Sequence, residues 1–135
     1  MPVRIRYKME VGISSTSAED KDLGNGIYEA VTDDFGEGGV RKFTLAASTT
    51  DLALDVGNVA TARFVAIRSN AKDPTQNPVE ITVKRNTVGN EAIPVTPMDS
   101  TKEGHFLLST SGLTALFASN AGAVDMELTV FLSGD

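Results

Sequence analysis

The chain's 135 residues are 41% hydrophobic and 22% charged, enough apolar matter for one packed core and too much for a disordered chain. No cysteine is present, which excludes a disulfide framework, a thiolate zinc site and a cysteine nucleophile together. Net charge is -6, and between Glu19 and Glu37 seven acids stand against one base, Lys21, so that segment carries the whole imbalance; an acidic chain without a dense basic stripe is poorly suited to nucleic acid or an anionic membrane.

The opening residues, MPVRIRYKMEV, lack the uninterrupted apolar core of a signal peptide, and no apolar run nears the roughly 20 residues of a membrane-spanning helix. The expectation is a soluble, single-domain protein over residues 1–135. Val3 to Val11 has a strand pattern, with Val3, Ile5, Tyr7, Met9 and Val11 alternating with Arg4, Arg6, Lys8 and Glu10. Three like charges on one strand face repel unless something answers them. Arg4, Arg6 and Lys8 are therefore a candidate partner interface, set against the plainer reading of a solvated strand face and against an internal acidic neighbour.

Ile13 to Gly26 has the Ser, Thr, Asp, Gly and Asn content of a loop. Within it Asp20, Asp22 and Asn25 come near the alternating oxygen ligands of a calcium loop, but Gly24 stands where Asp or Asn is required, and no Glu occupies the twelfth position. A solvated loop is the default there, with calcium as the alternative. Ile27 to Thr32 suits a short strand. The glycines of Asp33 to Gly39 form a turn and not a phosphate cradle, because the VRKFTLA that follows reads as a strand and not a helix. Val40–Ala46 and Asp51–Val56 are further strands, joined by a turn at Ser48, Thr49 and Thr50.

The stretch from Thr61 to Arg85 is the expected centre of the fold. TARFVAIRSN and VEITVKRN are rich in β-branched and aromatic residues, and AKDPTQNP between them is a long turn, so the pair is a hairpin or a corner. The apolar run Phe64–Ile67 suits a strand covered on both faces. After a turn at Asn86–Asn90, Glu91–Val95 is a short strand that Pro94 and Pro97 confine to an edge or keep outside the sheet. KEGH turns into the strand FLLS; LTALFAS is ambiguous between a buried strand and one turn of helix; Ala123 to Leu132 alternates as a final strand. Nine or ten short strands with no long helix predict an all-β antiparallel two-sheet sandwich, jelly-roll-like, with an immunoglobulin-like sandwich as the alternative.

Motifs for catalysis are weak. His105 is the single histidine, and no G-x-S-x-G elbow accompanies it. One His and no Cys make a poor zinc site. No catalytic residue, cofactor-binding residue or metal ligand is assigned, and the expectation is a protein without enzymatic activity. A glycan-binding module is a competing class, since such modules are often small sandwiches; they rely on exposed aromatic platforms, and here there is no Trp and only Tyr7 and Tyr28.

The run FVAIRSN, then VEITV, a Pro-containing edge, HFLLSTSGLTALFASN and the closing VDMELTVFLSGD resembles small β-sandwich virion proteins of tailed bacteriophages, head decoration (cement) proteins and tail accessory proteins among them. The resemblance spans about Arg63 to Asp135 and lies in the general pattern, with no diagnostic motif. It implies a structural role in the virion after assembly in the host cytoplasm, contact with the major capsid protein or another virion protein, and homo-oligomers, trimers among them. Leu113, Leu116 and Phe117 point the same way, as apolar residues that one small sandwich would leave partly uncovered.

Overall fold

The computed structural model describes residues 6–14, 22–31, 37–56 and 59–134. The strands are β1 (Arg6–Ser14), β2 (Asp22–Val31), β3 (Glu37–Leu45), β4 (Thr49–Leu54), β5 (Ala62–Ala71), β6 (Ile81–Arg85), β7 (Ile93–Val95), β8 (Gly104–Leu113), β9 (Leu116–Asn120) and β10 (Met126–Gly134). β1 and β2 form an antiparallel two-stranded sheet of their own; the rest make two antiparallel four-stranded sheets, sheet I in the order β3-β10-β5-β8 and sheet II in the order β4-β9-β6-β7. The protein is an all-β sandwich.

The pairings β3 with β10, β4 with β9, β5 with β8 and β6 with β7 nest first with last and second with next-to-last. The chain is in effect one long hairpin, its tip at β6–β7, rolled up so that β10 also meets β5 and β9 also meets β6. That wrapping is a jelly roll. Period-2 patterning drives it: on β10, Met126, Leu128, Val130 and Leu132 are all buried, while Glu127, Thr129 and Phe131 are only partly so. Val65 and Ile67 of β5, Ile81 and Val83 of β6, Leu45, Val95, Leu116 and Ala118 complete the layer between the sheets. Fully burying each such Val, Leu or Ile is worth about 1.5–3 kcal/mol, so the inner faces, not the turns, hold the sheets together.

The segment expected at the centre is a corner and not a hairpin. β5 lies in sheet I and β6 in sheet II, and the long turn carries the chain from one sheet to the other. Other boundaries shift too. The first strand begins its described part at Arg6 and runs on to Ser14, and Asp22–Gly26, read as loop, pairs with β1: Gly12 opposes Asn25 and Ser14 opposes Asp22. Composition misled there because Gly and Asn are poor strand formers in isolation, whereas a partner strand supplies the missing hydrogen bonds. Glu37–Gly39 likewise belong to β3, opposite Leu132, Ser133 and Gly134, and Thr49 and Thr50 to β4. Gly104 and His105 open β8 instead of closing a turn.

LTALFAS divides between the end of β8 and the strand β9; the helical alternative is overturned because Leu116, Ala118 and Asn120 are buried at a spacing of two. Pro94 lies on β7, the edge of sheet II, as its missing donor demands.

One polar side chain ties the sheets at one end. Asn120 is fully buried; its Nδ2 donates to the carbonyls of Leu45 (3.2 Å) and Val124 (2.8 Å), and its Oδ1 accepts from the amide of Gly122 (3.0 Å). It thus links the end of β3 in sheet I, the end of β9 in sheet II and the turn into β10. Gly122 has no room for a side chain, since a Cβ would stand 2.9 Å from Val79 Cγ2. In contrast, Ser69 Oγ and Ser133 Oγ are buried and find no hydrogen-bond partner among the described residues.

Two stability outcomes follow from this contrast. Asn120→Ala strands two carbonyls and an amide and should cost about 3 kcal/mol, given roughly 1–3 kcal/mol for each buried group left unpaired; urea unfolding should show a lower midpoint at unchanged slope. Ser69→Ala removes an unpaired hydroxyl and no bond, so it should stabilise by about 1 kcal/mol, read as a raised Tm.

Candidate functional site

Of the basic strip, Arg4 lies outside the described residues. Arg6 and Lys8 lie on β1, where the register sets Arg6 opposite Val31 and Lys8 opposite Glu29. An acid of the acidic segment thus stands in register with Lys8, the last member of the basic run, as the internal neighbour that like charges on a strand call for. For the calcium alternative, Asp20 lies outside the described residues, while Asp22 and Asn25 are rungs of the β1–β2 ladder and not part of a loop. Among the described residues no three His, Asp or Glu side chains are grouped closely enough to hold a metal ion.

The register of sheet I assembles a feature that no single strand displays. Phe131 of β10 opposes Val40 of β3 on one side and Ala66 of β5 on the other, and Ala66 opposes Leu107 of β8. Opposed residues share a face, and this face is the one turned away from the core. An apolar row Val40–Phe131–Ala66–Leu107 therefore crosses all four strands on the outside of the sandwich. Val40 is 59% and Leu107 55% exposed.

The next row is polar: Lys42, Thr129, Arg68 and His105 stand in register across the same strands. Arg68 donates through Nε (3.1 Å) and Nη2 (2.8 Å) to one oxygen of Glu103, whose other oxygen lies 3.5 Å from His105 Nε2; Lys42 lies 3.7 Å from Glu127. These are exposed pairs, worth about 0–1 kcal/mol each. They leave the outer face an apolar band with a charge-matched border. His105 thus sits on a strand beside a carboxylate and a guanidinium.

The three apolar residues expected to stay partly uncovered divide, two lying inside and one not. Leu113 and Leu116 are buried and Phe117 is half-buried. The exposed row was missed although it has a signal. Strands with one wet face should not place apolar residues side by side, yet FLL in β8, VFL in β10 and VAI in β5 do so. The middle residues of those three triplets, Leu107, Phe131 and Ala66, are the ones that line up.

A second feature lies at the end of the sandwich marked by Asn120. Lys72, Asp73, Gln76 and Asp125 line an open depression, held by the Lys72 amide donating to the Asp125 carbonyl (2.9 Å) and the Ala47 amide donating to Asp125 Oδ1 (2.8 Å). It offers hydrogen-bonding groups and an ammonium, but among the described residues no aromatic ring lines it. Asp73 accepts from the Thr75 amide (2.9 Å) and hydroxyl (2.7 Å). Those two bonds, the amide first, hold its carboxyl below the usual Asp range. The Thr101 amide and hydroxyl do the same for Asp99 in the turn before β8.

Comparison with protein-family models, with curated proteins and with solved structures finds no match for the chain.

The Asp73 turn has a measurable consequence. A folded pKa below the unfolded one contributes stability that is present above the ordinary Asp range and lost as pH falls through the lowered value. In Thr75→Val the hydroxyl bond goes and the amide bond stays. The Asp73 titration, followed by carboxyl NMR, should move up toward the ordinary range without reaching it. An unmoved titration would mean that the hydroxyl contributes nothing to the shift.

Proposed function

We propose that the chain is a structural protein of a tailed-bacteriophage virion, a capsid decoration protein that binds the head shell and stabilises it. The observation that carries the reading is the apolar row on the outer face of sheet I with its border of Lys42, Arg68, Glu103 and His105. An exposed apolar band rimmed by polar groups is the surface anatomy of protein–protein contact. The jelly-roll wrapping agrees with what the resemblance implies, and the fold is one that capsid proteins use among other roles. A tail accessory protein would draw on the same surface. The open depression around Lys72 and Asp125 is the feature a glycan-binding reading would use, but none of the described residues lining it supplies the stacking ring that gives such sites their affinity.

The test is binding to heads stripped of decoration. Purified protein added to bare expanded heads should saturate at a fixed number of copies and raise the temperature at which the heads rupture. The basic strip is the proposed electrostatic contact, so binding should weaken with added salt, since exposed charges are screened over about 10 Å at 0.1 M. Arg4→Ser with Arg6→Ser should lower affinity roughly five- to thirtyfold, the equivalent of about 1–2 kcal/mol for two charge contacts, at an unchanged Tm. Immunogold labelling confined to tails would move the protein to the tail. Absence from particles together with retention on a glycan array would replace the virion reading.

A further inference from the structure

We infer that the outer edge of sheet I along β8, from Gly104 to Ser109, is a self-association surface on which a second copy of this chain adds its own β8, antiparallel, across a twofold axis. The edge of a sheet presents unpaired N–H and C=O groups, and proteins that do not use an edge blunt it. Three of the four edges of this sandwich are blunted. β7 has three residues, with Pro94 in the middle. β4 is broken by a register shift between Thr49 and Leu52, where Asp51 takes a left-handed φ of 51° and is held by Ser119 and Lys84. β3 carries Glu37, Arg41 and Lys42 along its length.

β8 has none of this over Gly104–Ser109. The segment GHFLLS contains no proline and one titratable residue, His105, and it runs in unbroken register along β5 from Ser69 to Phe64. The irregularity of that ladder comes only after Ser109. No described strand pairs on its outer side. His105 and Leu107 are the exposed side chains described on this edge, and Leu107 is the end of the apolar row.

The occupant is a second copy because the segment is complementary to itself. With Leu107 on the twofold axis, Leu107 meets Leu107, Phe106 meets Leu108, and His105 meets Ser109, so no ionisable group faces its own image. Phe106 and Leu108 are packed against the core but only partly buried, and their cross-pairing covers both. A shift by one residue would turn the faces over and set the apolar row of one copy against the inner layer of the other. In the inferred register the two four-stranded sheets become one continuous sheet, and the row Val40–Phe131–Ala66–Leu107 continues without a break into its mate. Edge addition of this kind draws affinity from main-chain bonds and selectivity from alternate side chains.

This inference stands apart from the virion reading. A dimer that ignores phage heads would overturn that reading and leave this one intact. It also specifies a twofold contact, so trimers of the kind the resemblance implies would have to form elsewhere.

Sedimentation equilibrium over a range of concentrations tests it. The full chain should fit a monomer–dimer equilibrium. Leu107→Lys and Leu107→Glu, each placing a charge against its own image, should each weaken dimerisation at least tenfold. An equal mixture of the two should restore it, because Lys then faces Glu. A wild-type chain that stays monomeric at its highest soluble concentration overturns the inference. So do variants that dimerise as well as wild type, or a mixture that fails to rescue. Hydrogen exchange on the unmodified chain covers the case in which a variant misfolds. Amides of Gly104–Ser109 should gain protection with protein concentration while those of β7 do not; no concentration dependence there overturns the inference.

Discussion

Asn120 is the point on which the two sheets agree. A buried amide side chain is costly unless its donors and acceptor are met, and here they are met by two separate pieces of chain: the carbonyl of Leu45 at the end of β3, and the Gly122 amide and Val124 carbonyl of the turn before β10. Hydrophobic burial between the sheets is strong but has no direction, and two greasy faces could slide by a rung. The hydrogen bonds of one amide cannot. Gly122 sharpens the same fit, since its turn lies flush against Val79 of the opposite connection. The other end has its own version in Asn86, left-handed at φ 65°, which donates to Gly112 and accepts from the Thr114 amide. Each end of the sandwich is therefore fixed by an asparagine in the role of a main-chain surrogate.

How much of this could be read from residues alone depended on where each hydrogen bond goes. Strands with one wet and one dry face announced themselves: β10 and β6 carry clean alternation, and β7 was placed at an edge by Pro94. Strands that owe their existence to a partner did not. Asp22–Gly26 is extended because Val11–Ser14 lies beside it, and nothing in the local composition encodes that neighbour. The pairing of β5 and β6 could not be decided because a long polar turn serves a hairpin and a sheet-to-sheet corner equally well. LTALFAS looked helical since Leu113, Leu116 and Phe117 fit that period over one turn, a span too short to separate periods of 3.6 and 2.

The outer apolar row shows a different limit. Its members come from β3, β5, β8 and β10, which are far apart in the chain, and only register brings them together. Only the run Phe64–Ile67 reads as a strand buried on both sides; FLL and VFL sit in strands whose alternation marks one apolar face and hides the apolar residue on the other. The structure gives those strands one buried face and one outer face crossed by an apolar band. The candidate strip at Arg6 and Lys8 was legible as charge, but its counterpart Glu29 lay in a segment whose pairing was hidden for the reason just given. Electrostatics on the outer face is local and exposed, and it tunes contact more than it creates it.

The wrapping order has a consequence for how a cell makes this molecule. Synthesis is vectorial, and β10, the last strand of the sandwich to leave the ribosome, belongs in the middle of sheet I, between β3 and β5. Until it arrives, those two strands have no common partner, and the dry sides of Val65, Ile67 and Leu45 have no roof on that flank. Sheet II waits in the same way, because β9 belongs between β4 and β6. Neither sheet can close before β9 and β10 have emerged, so closure is one late insertion, and until then a nascent copy presents open strands to its neighbours. Crowding of incomplete chains is therefore a hazard of a kind separate from the stability of the finished sandwich.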